Sequence, residues 1–499
     1  MPSKYLIRMA VGALLTFAAG IVMPASELQV EGTHSTAETP IAEQSAKQLP
    51  VTLEVESSNE APPNSADADP KKVLSPRMRA HDRFLFLYDG ERYAEASSVG
   101  LEVVDLTREE FGARHISVAA PLVNLAISQA KSGDLPAAEV NYEESVSIIE
   151  EHEGVLSPRL INPLSGLGSA YNKAGLYEKG AAALERALLI NHVNDGLFNF
   201  EQFKIQDGLS DSYAGMNALD DATFYQKAQV EIHQRKLGVD SPEVATALYK
   251  LAQWYELINK TEDAMLAYRK ADRILRKAGG DANVERVEAL QGIAKVYERQ
   301  GLASSTASTL KKALSIIDEQ PEPDYLKRAK ILVALGDLYT RQGKFESSEL
   351  HYSVAWEDLS RADKYLDQRD AYFAEPVRVL GIKFSTIEYR SRGKPDASLK
   401  DGYVMVNYTV TEKGRVKDAK IIESEPAGLM DRSIISTYMR SAYRPRRVDG
   451  AATSSTGRIS RHEFKYSAPL EKEEVEKSAE TSRDSGSSGE RLEYPEKSD

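Results

Sequence analysis

The chain has 499 residues, enough for two or three domains at roughly 150 residues each. A formal net charge of −13 argues against a chain built mainly to bind nucleic acid, and 28% charged with 8% aromatic residues describes a largely globular protein. Cysteine is absent, which excludes a disulfide framework, a thiolate metal site, a cysteine nucleophile and a lipidated N-terminal cysteine.

In chain order, Lys4 and Arg8 lead into the apolar run Met9 to Met23, 15 residues long. A membrane-spanning helix needs about 20, so residues 1–25 read as a secretory signal peptide. Pro24-Ala25-Ser26 holds or follows the cleavage site, although Met23 is not small. The alternative is a retained inner-membrane anchor through residues 5–23. Either reading places the rest of the chain in the periplasm. Residues 26–76 are rich in Ser, Glu, Pro and Ala with few large apolar side chains, and read as a disordered linker.

Residues 77–370 carry an internal repeat. Tyr171 recurs as Tyr213, Tyr255, Tyr297 and Tyr339, each step 42 residues; Gln129 and Leu87 continue the register backwards. Four residues before each tyrosine sits an aliphatic, Leu167, Leu209, Leu251, Ile293 and Leu335, followed by a small residue. A second small column runs Ala138, Gly180, Ala222, Ala264, Thr306 and Ser348. Within one unit, Leu248, Leu251, Ala252 and Tyr255 fall on one face of a helix, Asn259-Lys260 breaks it, and Ala264, Tyr268, Ala271 and Ile274 line a second helix. Ser241-Pro242-Glu243 predicts an N-cap, a proline at the first helical position and an early acid; Ser75 and Ser157 begin similar stretches. One such hairpin cannot cover its own apolar face, so the units must stack into an α-solenoid of about seven helical hairpins. The first unit departs, with Arg83 and Phe84 in place of the aliphatic-small pair, and the fourth has Gln226 where an aromatic is expected.

These columns resemble tetratricopeptide repeats, and "LGVDSPEVATALYKLAQWYE" resembles the 42-residue subtype of kinesin light chains. The resemblance implies a concave face that binds proteins or peptides and does no chemistry. Candidate groove positions on the first helices are Asn124, Asn172, Tyr249, Gln253, Lys295 and Asp337. Asn124 and Asn172 are compatible with a carboxylate-binding groove, but no full basic clamp is present.

Glu375-Pro376 marks a boundary, because the residue before proline leaves the helical region. Residues 376–467 then read as a small α+β domain. Val404, Val406, Tyr408 and Val410 alternate in a strand, Gly414 turns the chain, and a second strand follows from Arg415. Ile435, Tyr438, Met439 and Ala442 predict one apolar helical face that Pro445 ends, Gly457 opens a final strand, and Val377 to Tyr389 is a candidate extra strand. The stretch from Asp401 to Gly450, with Gly402, Gly414, Val416, Asp418, Pro426 and Tyr443-Arg444-Pro445, followed by Phe464-Lys465-Tyr466, resembles the C-terminal domain of TonB-type energy transducers. A Tyr-Pro pair usual upstream in that family is replaced by Tyr389-Arg390. The resemblance implies docking of an extended segment of an envelope partner, an outer-membrane receptor for instance, as an added strand. The final strand is the candidate docking edge, with Arg458, Ile459, Ser460, Arg461, His462, Phe464 and Tyr466. Residues 376–467 hold 18 Lys and Arg against 10 Asp and Glu, a basic head of +8 on a body of −21, suited to acidic partners. Residues 468–499 read as a disordered acidic tail.

The eight histidines form no metal or nucleophile motif, and no phosphate-binding or dinucleotide-binding loop occurs, so no enzyme activity, metal or cofactor is expected. The expected function is a periplasmic scaffold: the repeats hold one protein and the TonB-like domain docks another. The alternative is a true energy transducer for outer-membrane transport, which needs the anchor retained. Against it stand the short apolar run, the lack of histidine within it, and a linker that is not a long proline-rich rod.

Overall fold

The computed structural model describes residues 75–381, 387–389 and 399–467. The expected signal or anchor, nearly all of the linker and the acidic tail lie outside the described residues.

Fourteen helices form seven antiparallel hairpins. They pair as α1 Pro76–Asp89 with α2 Tyr93–Phe111, α3 Ala119–Ser132 with α4 Leu135–Glu153, and α5 Ile161–Lys173 with α6 Tyr177–Asp195. The series continues with α7 Phe203–Gly215 and α8 Leu219–Leu237, α9 Pro242–Leu257 and α10 Thr261–Gly279, α11 Arg286–Arg299 and α12 Ala303–Asp318, and α13 Tyr325–Arg341 with α14 Phe345–Leu359. Every second helix begins 42 residues after the one before it, from Tyr93 to Phe345. The repeat columns explain why the hairpins close. The small column is buried throughout, from Ala138 to Ser348, and the facing first helices carry their own small residues where large ones arrive. A Cβ on Gly166 would overlap the Tyr142 ring, and one on Gly336 would overlap Tyr352. Leu248, Leu251, Ala252, Tyr255, Ala264, Tyr268, Ala271 and Ile274 join one apolar cluster that runs across successive units.

The helix starts follow their local chemistry. Ser75 accepts from Met78 N–H and Ser157 from Arg159 N–H, each with proline at the next position. Ser241 occupies the N-cap position but makes no side-chain cap; its hydroxyl instead donates to Glu243. The irregular first unit still folds as a hairpin, with Phe84 taken into the core and Arg83 paired with Glu102 at the surface. A short helix α15, Leu366–Phe373, follows α13 by almost one full repeat. It is a truncated first helix of an eighth unit, ended by Pro376, and it buries Phe373 edge-on to Tyr352 at 6.1 Å between ring centroids.

The C-terminal domain contains β1 Val377–Leu380, β2 Ile387–Tyr389, β3 Leu399–Val410, β4 Val416–Glu425, α16 Asp431–Arg440, β5 Ala442–Arg444, β6 Arg446–Val448, β7 Ala451–Thr453 and β8 Ser455–Ser467. The main sheet has the order β2-β8-β3-β4, with β3 antiparallel to both neighbours and β2 parallel to β8. Val404, Val406, Tyr408 and Val410 face α16 and form a core with Ile434, Tyr438 and Phe464. Gly414 is required in the β3–β4 turn: its φ is +70°, and a Cβ there would overlap the Tyr443 carbonyl oxygen.

Two sequence expectations need correction. The stretch Val377 to Tyr389 is not one strand: β1 pairs with β5, and β2 pairs with the end of β8. On α16 the buried face is Ile434, Thr437 and Tyr438, while Met439 is half exposed and Ala442 belongs to β5. The helix ends at Arg440, before Ala442 can extend the face that periodicity predicts.

Candidate interaction surfaces

Successive first helices touch one another, α3 with α5, α5 with α7 and α9 with α11. That places the first helices on the inner side of the array's curve. Their polar side chains are largely tied together from unit to unit. Asn172 donates to the Gly208 carbonyl at 2.8 Å and accepts from Ser212 Oγ at 2.7 Å. Lys250 Nζ reaches Asp207, Lys295 pairs with Glu256 at 3.0 Å, Lys327 with Glu288 at 3.1 Å and Arg341 with Glu298 at 2.7 Å. Gln226, the polar substitute in the fourth unit, donates to Asp207 in the same network. Asp211 stays open to solvent beside Asp207, yet the surrounding chain crowds it and pushes its carboxyl up to about 6.

The six candidate groove residues meet different fates. Asn124 is only 2% exposed, because α3 is enclosed around its whole circumference from Pro121 to Ser128; it is a core residue and not a groove position. Asn172 is half-buried in the inter-helix bonds above. Tyr249 packs against Tyr268 at 5.6 Å, with Gln253 half-buried nearby. Lys295 is exposed but carries Glu256. Asp337 is not a free groove residue: it binds the C-terminal domain.

That contact is the main feature sequence reasoning missed. Arg444, in β5, sets its guanidinium against Asp337 with Nε to Oδ1 at 2.9 Å and Nη2 to Oδ2 at 2.8 Å, and donates from Nη1 to the Tyr372 carbonyl at 3.1 Å. The rings of Tyr352, Tyr372 and Phe373 surround it. Burial works against its charge, and Asp337 more than offsets that, so its pKa stays raised. Three residues on, Arg447 forms a second fork on Glu349 at 2.8 and 3.0 Å, with Nη2 also on Ser353 Oγ at 2.8 Å. Arg415 lies over the Phe345 ring at 4.8 Å. Beside these contacts a crevice of about 730 Å³ opens between the two parts, lined by Thr340, Lys344, Phe345 and Tyr352 on one side and Glu412, Lys413, Pro445 and Ala452 on the other. The clustered arginines of Tyr443-Arg444-Pro445-Arg446-Arg447 were the available signal.

The sheet edges complete the surface. Thr411 N–H donates to the Arg415 carbonyl at 2.8 Å, so along β3 alternate N–H groups turn to β4 and the intervening ones, including Val404 and Val406, turn to β8. Val406 pairs with Ser460 and Val404 with His462. Ser460 and His462 therefore direct their N–H groups into the ladder, and Ile459, Arg461 and Glu463 direct theirs outward. Among the described residues, β2 covers that outer side only at Phe464, Lys465 and Tyr466. Phe464 and Tyr466 thus lie beside an existing neighbour, whereas no described strand lies beside Ile459 and Arg461. Phe464 and His462 side chains point into the domain, His462 with Nε2 at 2.5 Å from the Tyr438 hydroxyl. Burial and the nearby Arg378 bring its pKa down to about 4. Arg461 stacks on Tyr403 at 3.9 Å on the exposed face. The opposite edge, β4, is interrupted by two register shifts and by Asp418 at φ +54°, features that blunt an edge against pairing.

Residues 397–465 match the family model described as the Gram-negative bacterial TonB protein C-terminal. No curated protein matches the chain. Among solved structures, BtubC from P. vanneervenii is 22% identical over 47% of this chain and 94% of its own, with a TM-score of 0.36. A kinesin light chain of Podosopora anserina with nearly identical TPR-like repeats is 18% identical over 42% of this chain and 99% of its own, at 0.36. A TPR repeat-containing protein from Cytophaga hutchinsonii is 12% identical over 58% and 98%, at 0.38. The chain is an array of helical hairpins on a 42-residue repeat that ends in a domain similar to the TonB C-terminus.

Proposed function

We propose that this protein is an envelope interaction scaffold on the periplasmic side: the repeats hold one protein, and the TonB-like domain docks another by strand addition at β8. The observation that carries this reading is the outer side of residues 458–463, beyond the register shift at Gly457, where the Ile459, Arg461 and Glu463 N–H groups point away from β3 and no described strand pairs with them. Unpaired N–H and C=O groups in a row are a template for an extended segment. The match to a Gram-negative TonB domain supports the compartment. The basic balance of residues 376–467 favours an acidic segment as the added strand. Neither part needs a cofactor for this role, and no catalysis is assigned. Among the described residues, no group of three His, Asp or Glu is placed to hold a metal ion. Amide shifts on isotope-labelled protein, titrated with extended acidic peptides from the N-terminal ends of outer-membrane receptors, test the reading. Shifts concentrated on residues 459, 461 and 463 support it; saturable binding that leaves all three unmoved overturns it.

A further inference from the structure

The inner face of the array has one occupied position. In the column Asp211, Gln253, Lys295 and Asp337, spaced 42 residues apart on successive first helices, only the last is filled by a group from outside the repeats, Arg444. One period further on the array stops. Only the truncated α15 follows, and β5 and β1 pack against α13. Arg444 and Arg447 come from that one segment, in the spacing Arg-x-x-Arg, and each meets a carboxylate as a two-pronged fork. The planar guanidinium suits such paired bonding. Both arginine side chains are nearly enclosed, at 7% and 1% exposure.

The remainder of the junction is of a different kind. It includes the crevice of about 730 Å³, where Phe345 and Tyr352 face Pro445 and Ala452 without filling the space. Contacts between parts of one chain that leave such space unfilled are looser than a domain core, and relative motion of the parts is the default for them. Neither arginine is needed to build its own domain's core, which rests on Val404, Val406, Tyr408, Ile434, Tyr438 and Phe464.

We infer that the C-terminal end of the array, where α13 presents Asp337 and α14 presents Glu349, is a receptor for an Arg-x-x-Arg segment, filled in cis by this chain's own Arg444 and Arg447 as a displaceable occupant. A partner that presents two arginines in that spacing competes for Asp337 and Glu349, and its binding releases the TonB-like domain from the array. Released, the domain swings on the connection around Pro376, and the β8 edge leaves its fixed position relative to the repeats. The biological meaning of this latch rests on the scaffold reading above; its physical test does not.

The absence of native cysteine permits a direct test. Cysteines at the exposed positions Ser304 and Ser436, on the array and on α16, carry spin labels in the full chain, and the distance distribution between them is measured. The probes are a peptide of residues 440–449 and the same peptide with the arginines equivalent to Arg444 and Arg447 replaced by glutamine. The expected result is one narrow distribution that broadens and lengthens with the first peptide and not with the second. Asp337→Asn combined with Glu349→Gln should broaden it with no peptide added, while the helical content of the chain is kept. A distribution that stays narrow under the arginine peptide and in the carboxylate variant shows a fixed cap and overturns the inference. Equal broadening by both peptides overturns it as well, because recognition would not then lie in the guanidinium groups. Receptor-peptide binding at β8 is measured separately, so failure of strand addition and failure of the latch are told apart.

Discussion

Arg444 and Asp337 are 107 residues apart in the chain and meet as a nearly enclosed fork of 2.8 and 2.9 Å that joins the TonB-like domain to the last repeat. Little water competes for this pair, unlike the pairs on the helix surfaces. A double-mutant cycle on Arg444→Ala and Asp337→Ala should therefore give a coupling of about 1–3 kcal/mol in urea unfolding. Removal of either partner alone should cost about 3–5 kcal/mol, since it strands a buried charge. The same cycle on Arg235 and Glu231, an exposed i,i+4 pair at 2.7 Å, should give about 0.3–0.5 kcal/mol. Equal couplings would show that the interdomain fork is no more shielded than a surface pair.

Packing between helices makes a second contrast. Leu251 is 7% exposed and joins the core cluster that links successive units. Leu251→Ala opens a cavity and should cost about 2–5 kcal/mol. Gln253, two residues on, is half-buried on the inner face, and Gln253→Ala should cost under about 1 kcal/mol. Denaturant midpoints of the two variants check the repeat register: similar losses would contradict it.

A third expectation concerns pH. His462 lies against Tyr438 and near Arg378, and its pKa falls from 6.5 to about 4 on folding. Between those values the unfolded chain binds a proton that the folded chain does not, so stability rises with pH there and is lost as pH falls from about 6.5 to about 4. The full effect is about 3 kcal/mol at 1.36 kcal/mol per pKa unit. His462→Gln should flatten the pH dependence of unfolding across that window while that of the remaining carboxylates persists. An unchanged slope would show that His462 is not held neutral.

How far the sequence carries the fold depends on which interactions repeat. The tyrosine and small-residue columns recur every 42 residues, so the hairpins were legible from periodicity alone. Two further columns were equally legible and were passed over. Gly133, Gly175, Asn217, Asn259, Gly301 and Gly343 all adopt positive φ in the turns of the second to seventh hairpins, and Gly112, Gly154, Gly196, Gly238 and Gly280 do so between the first six hairpins. Left-handed backbone favours glycine and asparagine, so these residues mark most breaks between helices; Glu91 takes the place in the first hairpin, and the α12–α13 connection has no such residue. The Arg444–Asp337 contact was illegible for the opposite reason. It occurs once, between a repeat and a different fold, and no period points to it. Asn124 shows the limit of single-helix reasoning: its polar side chain suggests the surface, but helices on every side of α3 decide its burial.

The edge of β8 yields the sharpest prediction. Proline lacks an N–H, so its effect on a strand depends on where that N–H pointed. Ser460 pairs with Val406, and the bond between Thr411 N–H and the Arg415 carbonyl sets the alternation that turns the Ser460 N–H into the ladder. Ser460→Pro removes a bond inside the sheet and leaves a Val406 carbonyl without its donor, so it should destabilise the domain by about 3 kcal/mol, seen as a lowered melting temperature. Arg461 turns its N–H outward, where no described strand pairs with it. Arg461→Pro should leave the melting temperature within a few degrees of the parent and weaken binding of an extended receptor peptide about tenfold, the loss of one well-formed hydrogen bond. Arg461→Ala separates the backbone from the side chain, because it removes the stack on Tyr403 and keeps the N–H. If Arg461→Ala weakens the peptide as much as Arg461→Pro does, the contact is made by the guanidinium and not by an added strand. If Arg461→Pro binds the peptide as tightly as the parent while folded, the outer side of β8 is not the docking edge.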